Sequence, residues 1–276
     1  MGPRFRRDSP QGNPPAERLA AVVLSRDEVG EADVVATFLT RERGLLAGFA
    51  KNAQKSRIRF GGGLLSPGTA AYYYFRIRAN SDLCFVERGE IHPPAPTLPA
   101  DARLRALASF GLELCRAFET HQNPATLSFE LLVRYLSALS KRHSGVPPAL
   151  SARSVSVAFQ KLYLELAGFG LKLSSCADCL REVGPGPWRW DSQDPKILCD
   201  ACAERVTPSL PRVEGSLLLK LAEIRDLKNP ATFAEEELLQ AEPFLERVFS
   251  IQAGRSFKSP RALRSYLRDP AQASQT

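Results

Sequence analysis

Four cysteines constrain this chain more than any other feature. Cys176-Ala-Asp-Cys179 is followed, nineteen residues later, by Cys199-Asp-Ala-Cys202. A two-residue spacer folds the backbone into a knuckle whose two sulfurs aim at one point. A second knuckle completes a tetrahedron and leaves no position open for water or substrate. The spacing therefore predicts one structural Zn2+ per chain, held by Cys176, Cys179, Cys199 and Cys202, with no catalytic role. Between the knuckles, Gly184-Pro185-Gly186-Pro187 and the turn at 191–195 flank Trp188-Arg189-Trp190. This is a short ribbon with little core of its own, for which bound metal would substitute. The element is expected as an insertion over 174–206. The rival reading is unligated thiols, or a redox pair in each knuckle. Cys84 and Cys115 stand alone in apolar patterns and are expected to be ordinary buried residues.

That metal reading assumes a reducing compartment. No apolar run approaches the roughly 20 residues of a membrane helix. The opening MGPRFRRDSPQGNPPAER is basic and rich in Pro and Gly, and it lacks the apolar stretch of a secretory signal. Residues 1–18 are expected to be a disordered leader, and the protein to be cytoplasmic with no membrane contact.

Two textures follow. AAVVLSR (20–26), ADVVATFLT (32–40), LLAGFAK (45–51), TAAYYYFRIRA (69–79) and LCFVERGEIH (83–92) are β-prone runs separated by Gly, Pro, Asn and Asp turns. Five short strands in about 75 residues predict a small β-barrel over 19–94, an OB-fold first and an SH3-like barrel close behind. After PPAPTLP the spacing becomes helical. Leu104, Leu107, Phe110, Leu114 and Phe118 share one stripe, and Phe129, Leu132, Leu136 and Leu139 another. Further helical patterns are SVSVAFQKLYLELAGFG, EGSLLLKLAEIRDL, EEELLQAEPFLERVFSIQ and SPRALRSYL, the last with Ser259 as cap before Pro260. The tail PAQASQT is expected to be frayed. The predicted fold class is α+β: a five-stranded barrel, OB-fold or SH3-like on pattern alone, then an all-helical domain over 98–276 carrying the zinc-ribbon-like insertion.

Net charge is +7, and its distribution says more than its size. From Arg41 to Phe60 there are six basic residues (Arg41, Arg43, Lys51, Lys55, Arg57 and Arg59) against Glu42, and Gly61-Gly62-Gly63 follows. A second run, Arg255 to Arg268, holds five basic residues and no acid. Cations without counter-charges suit a phosphate backbone, which releases condensed counterions when bound. On the strongest strand, Tyr72, Tyr73, Tyr74 and Phe75 alternate, so one pair enters the core and the other faces out as packing or as a stacking platform. The plain alternative for the basic stretch is a solvated flexible loop, and for the glycines a bend or bulge.

Catalysis finds no support. His92, His121 and His143 are dispersed, and no GK[ST] loop, HExxH or GxSxG motif is present. Glu235-Glu236-Glu237 suits the first turn of a helix better than a metal pair. The chain is not expected to be an enzyme.

GLLAGFAKNAQKSRIRFGGGLLSPGT resembles the signature of the bacterial RecO family, recombination mediators of DNA repair. Barrel, helical domain and inserted four-cysteine element resemble RecO along nearly the whole chain. The resemblance implies an OB-fold that binds single- and double-stranded DNA and anneals complementary strands. It also implies partnership with RecR, with RecF in some pathways, and with the C-terminal tail of the single-strand-binding protein, together helping to load RecA. Its basic motif corresponds to Arg43, Lys51, Lys55, Arg57 and Arg59 beside Gly61 and Gly62; Arg41 is added on charge alone. The Pro-rich leader and the extra glycine, Gly63, depart from the pattern. The expected place of work is the bacterial nucleoid. Two rivals remain: a non-catalytic protein-interaction scaffold with a structural zinc element, and a metal-dependent nuclease.

Overall fold

The computed structural model describes residues 14–78, 83–91, 98–121, 123–139, 148–191, 194–206, 210–228 and 231–268. Residues 1–13 of the expected leader, most of the 93–99 linker, His92, His143 and the tail at 270–276 lie outside these.

The first unit is a closed barrel of β1 (Glu17–Val29), β2 (Asp33–Thr40), β3 (Gly44–Ala50), β4 (Ala70–Arg76) and β5 (Leu83–Glu90), with the four-residue helix α1 (Arg57–Phe60) between β3 and β4. Strand order is β1-β2-β3-β5-β4, and β4 returns to β1. All pairs are antiparallel except β3 with β5, which run parallel over Ala47↔Leu83, Gly48↔Cys84 and Phe49↔Phe85. That closure defines the OB-fold and removes the SH3-like alternative.

β1 is longer than its sequence pattern suggests, because DEV continues the strand and the turn falls at Gly30. Its apolar run is continuous rather than alternating for a clear reason. Ala21 and Val23 fill the barrel, whereas Val22 and Leu24 point outward into the helical domain. A strand buried on both faces needs apolar residues at every position. On β4, Tyr73 and Phe75 point inward and are fully buried, and Phe38 meets them edge-on at 4.9 and 5.1 Å. The Tyr73 hydroxyl donates to the Leu64 carbonyl, anchoring the segment after the glycines to the barrel interior.

The second unit contains α2 (Ala102–Phe118), α3 (Thr126–Leu139) and α4 (Pro148–Leu166). The cysteine element follows, with β6 (Pro187–Asp191), β7 (Lys196–Leu198), α5 (Asp200–Val206) and β8 (Arg212–Glu214). The chain then closes with α6 (Gly215–Glu223), α7 (Glu235–Ala253) and α8 (Lys258–Arg268). β7, β6 and β8 form a three-stranded sheet in that order. The ribbon is not free-standing: Trp188, Trp190, Ile197 and Leu198 join the core of the helices, with Trp190 edge-on to Phe244 at 4.4 Å. The same core includes Leu39 and Leu45 from the outside of the barrel, so barrel and helices share a packed interface.

The expected Ser259 cap is corrected. Ser259 lies inside α8 and is buried. Its hydroxyl donates to Glu113 Oε1, while Glu113 Oε2 accepts from the backbone N–H groups of Lys258 and Ser259. A carboxylate from α2 thus supplies the acceptors that the orphan donors of α8 need.

Candidate nucleic-acid interface and metal centre

The segment between β3 and α1 is a fastened loop. Asn52 adopts a left-handed φ of 54°, and its N–H donates to Asp33 Oδ1 at 2.6 Å. Gln54 N–H reaches the Ala32 carbonyl, and Ala53 is buried. Ser56 caps α1 by accepting from Arg59 N–H, and Phe60 plugs the turn into the barrel core. From sequence this stretch reads as a loop, because four residues are too few to show helical periodicity. Gly61 ends the turn where a Cβ would collide with the Arg57 carbonyl. Gly62 and Gly63 have φ of 66° and 77°, so the glycines fix the reversal rather than loosen it.

This framework presents Lys51, Lys55 and Arg57 as exposed cations. Arg59 is half-buried: its Nε donates to Ser56 Oγ and one terminal nitrogen to the Lys51 carbonyl at 2.8 Å. Among the described residues none of these four forms an ion pair with a carboxylate.

Arg41 and Arg43 are elsewhere. They occupy the turn at the opposite end of β3, about 20 Å away at 3.3 Å per residue. Both are paired there, Arg41 with Glu130 of α3 at 2.9 Å and Arg43 with Glu17 of β1 at 3.0 Å. The Arg41 carbonyl also accepts from Ala125 N–H, so this turn belongs to the junction between barrel and helices. Six cations contiguous in sequence are split by one strand.

The outward pair on β4 is covered. Arg18 lies over the Tyr72 ring at 3.6 Å and Arg88 over Tyr74 at 3.7 Å. Glu90 joins them, pairing with Arg88 and Arg18 and accepting from the Tyr74 hydroxyl. The hydrogen bond from Arg88 holds the Glu90 carboxyl below its usual range. Guanidinium faces, rather than bare tyrosine rings, form this part of the surface.

The four cysteines converge. The Sγ atoms of Cys176, Cys179, Cys199 and Cys202 lie within 4.8 Å of one another, and Cys179 and Cys199 are 3.7 Å apart. Four sulfurs about 2.3 Å from a tetrahedral zinc stand about 3.8 Å from each other, so the donor set fits that ion. Cys176, Cys199 and Cys202 are buried and Cys179 is exposed. Burial opposes ionisation of Cys176, but backbone N–H groups of Cys179 and Cys199 outweigh it and bring the thiol down to about 6. Cys202 is pushed up to about 12 by burial and by its sulfur neighbours, although Arg205 donates to its sulfur at 2.9 Å. Clustered sulfurs resist becoming thiolates together unless a cation joins them. Cys84 and Cys115 are buried and unpaired, and burial pushes the Cys84 thiol up to about 12.

Among the described residues no other group of three or more His, Cys, Asp or Glu has metal-binding geometry. Glu235 and Glu237 act structurally: Glu237 accepts from Ala234 N–H and pairs with Lys220, and Glu235 pairs with Arg153. His121 bridges to the start of β3.

An OB-fold barrel with a basic loop, packed on a helical domain that carries a four-cysteine cluster, defines a recognisable class of two-part protein. Residues 16–94 match the family described as Recombination protein O N terminal, and residues 100–261 match Recombination protein O C terminal. Similar proteins are called DNA repair protein RecO. That of Anaeromyxobacter sp. (strain K) is 38% identical over 206 residues, covering 74% of this chain and 78% of the relative. That of Desulfatibacillum aliphaticivorans is 26% identical over 261 residues, covering 92% and 98%. That of Myxococcus xanthus (strain DK1622) is 31% identical over 190 residues, covering 69% and 74%. The chain belongs to the RecO family of DNA repair proteins. No described helix is long and apolar enough to cross a membrane.

Proposed function

We propose that this protein is a non-catalytic DNA mediator that grips strands by their phosphates through Lys51, Lys55, Arg57 and Arg59. The observation that carries the reading is that, among the described residues, these four cations lack carboxylate partners on a loop fastened by its own hydrogen bonds. Phosphates supply the missing counter-charge, and counterion release makes the contact favourable in dilute salt. Contacts to phosphate hold a strand without occupying its base edges. Bases held that way stay free to pair, so the surface suits single strands, duplexes and the annealing of complementary strands. Arg41 and Arg43, already engaged with Glu130 and Glu17, contribute less to this grip. No proton transfer or bond cleavage is required for this role.

Zinc in the Cys176, Cys179, Cys199, Cys202 cluster acts as a staple, neutralising the thiolates and fixing the ribbon against α7. In the cell the protein works at the nucleoid with RecR, with RecF in some pathways, and with single-strand-binding protein, helping RecA onto covered strands. The acidic C-terminal tail of the single-strand-binding protein would dock at α8. Arg261 and Arg268 are exposed on that helix, whose Leu263 and Leu267 wall a cavity of about 100 Å³ together with Leu107 and Leu239.

Strand annealing with and without single-strand-binding protein tests the reading. The protein should speed pairing of complementary oligonucleotides in both conditions and leave the strands intact in magnesium. Pairing at the spontaneous rate would favour a protein scaffold instead, and strand degradation a nuclease.

A further inference from the structure

Ile58 is the most exposed large apolar side chain among the described residues, at 98%. It stands at the middle of α1, between Arg57 and Arg59. Single exposed apolar residues are common on protein surfaces and mean nothing by themselves. Two observations set this one apart.

The first is its mount. Phe60 anchors the turn in the barrel core, Ser56 caps it, Arg59 clips it to the Lys51 carbonyl, and Gly61 leaves it without room for a side chain. Ile58 is held out by a fastened turn, and its β-branch restricts χ1 further. Little conformational freedom remains to be lost when something packs against it. The second is its setting. Lys51, Lys55, Arg57 and Arg59 share the same loop, and none is paired with a carboxylate among the described residues. A protruding aliphatic group set among cations fits a polyanion that also offers apolar faces. A DNA strand is such a molecule: phosphates line it, and each base has a π-face for contact regardless of sequence. Apolar side chains driven between base steps partly unstack them. A membrane surface also combines anions and apolar matter, but anchoring there takes a broad amphipathic face rather than one residue on a single turn.

We propose that Ile58 is a wedge that packs against the face of an unstacked base while the neighbouring cations hold the flanking phosphates. This rests on the DNA-binding reading above and adds a base contact to it. The wedge touches the flat of the base and leaves its pairing edge free. It also favours single strands, because a duplex must first be opened at the point of insertion.

The test uses the full chain, a single-stranded oligonucleotide containing 2-aminopurine, and the variants Ile58→Ala and Arg57→Ala, with equal thermal unfolding midpoints confirming intact folds. Wild-type protein should raise the 2-aminopurine emission by unstacking it. Ile58→Ala should abolish that rise and weaken binding about fivefold, the low end for loss of a base-stacking contact. The slope of log K against log salt should stay unchanged, since no charge is removed. Arg57→Ala should keep the rise and lower the slope by about 0.7. Wild-type affinity and emission in Ile58→Ala would overturn the wedge while leaving phosphate binding standing. A wild-type protein that binds no strand removes the underlying reading and the wedge with it. Co-sedimentation with anionic phosphatidylglycerol vesicles that depends on Ile58 would also overturn the wedge, in favour of a membrane contact.

Discussion

Arg153 of α4 and Arg57 of α1 carry the same guanidinium into opposite situations. Arg153 is 3% exposed and forked between Glu235 at 2.6 Å and Glu242 at 2.8 Å, so its donors are consumed inside the helical domain. Desolvation of Arg153 works against its charge, and the two carboxylates more than offset that, leaving it fully protonated. Arg57 is exposed, with no carboxylate partner among the described residues. The contrast extends beyond these two. Lys220 with Glu237 and Arg264 with Glu246 tie helices together, whereas Lys51 and Lys55 form no ion pair among the described residues. A cation that is already satisfied holds a fold, and one left unsatisfied on a rigid mount is available to a ligand.

The largest effect should fall on the internal side of this contrast. Replacing Cys176 and Cys199 together by Ser removes half of a four-thiolate site, whose metal supplies folding free energy directly. Elemental analysis should find about one zinc per wild-type chain and none in the variant, with Trp188 and Trp190 emission shifting red as the ribbon opens. Wild-type protein without metal would break the staple. Next, Arg153→Ala strands Glu242 and should cost about 3 kcal/mol or more in denaturant unfolding. Its salt slope for DNA should match wild type, the reverse of what Arg57→Ala does. Smaller again, Glu113→Ala leaves two N–H groups at the start of α8 without an acceptor and should cost about 1 kcal/mol. Smallest, Arg41→Ala with Arg43→Ala breaks two exposed ion pairs worth about 0–1 kcal/mol each. Its effect on the salt slope should be well below that of an equal charge change at Lys51 and Arg57. An equal effect would extend the grip along the whole of β3.

The barrel was legible because its turns are written in Gly, Pro and Asp and its strands in apolar and aromatic runs. The alternation at Tyr72 to Phe75 called for one inward pair without saying which, and the structure makes it Tyr73 and Phe75. The cysteine cluster was legible because knuckle spacing is local geometry. What stayed hidden depends on partners distant in sequence. Glu113 caps a helix that begins 145 residues later. Arg18 and Arg88 cover the outward rings of Tyr72 and Tyr74, which alternation alone does not reveal. Arg41 and Arg43 look contiguous with Lys51 to Arg59, yet a seven-residue strand carries them to the other end of the barrel. The three-residue strand β8 and the single turn α1 are too short for any periodicity to show.

The most direct test of the central claim is single-strand affinity measured by fluorescence anisotropy from dilute to physiological salt. Wild type is compared with a variant carrying Ala at Lys51, Lys55, Arg57 and Arg59. The account predicts a steep loss of wild-type affinity with salt and a variant slope shallower by about 3, near 0.7 for each lost phosphate contact. Identical slopes, or no wild-type binding in dilute buffer, would contradict it.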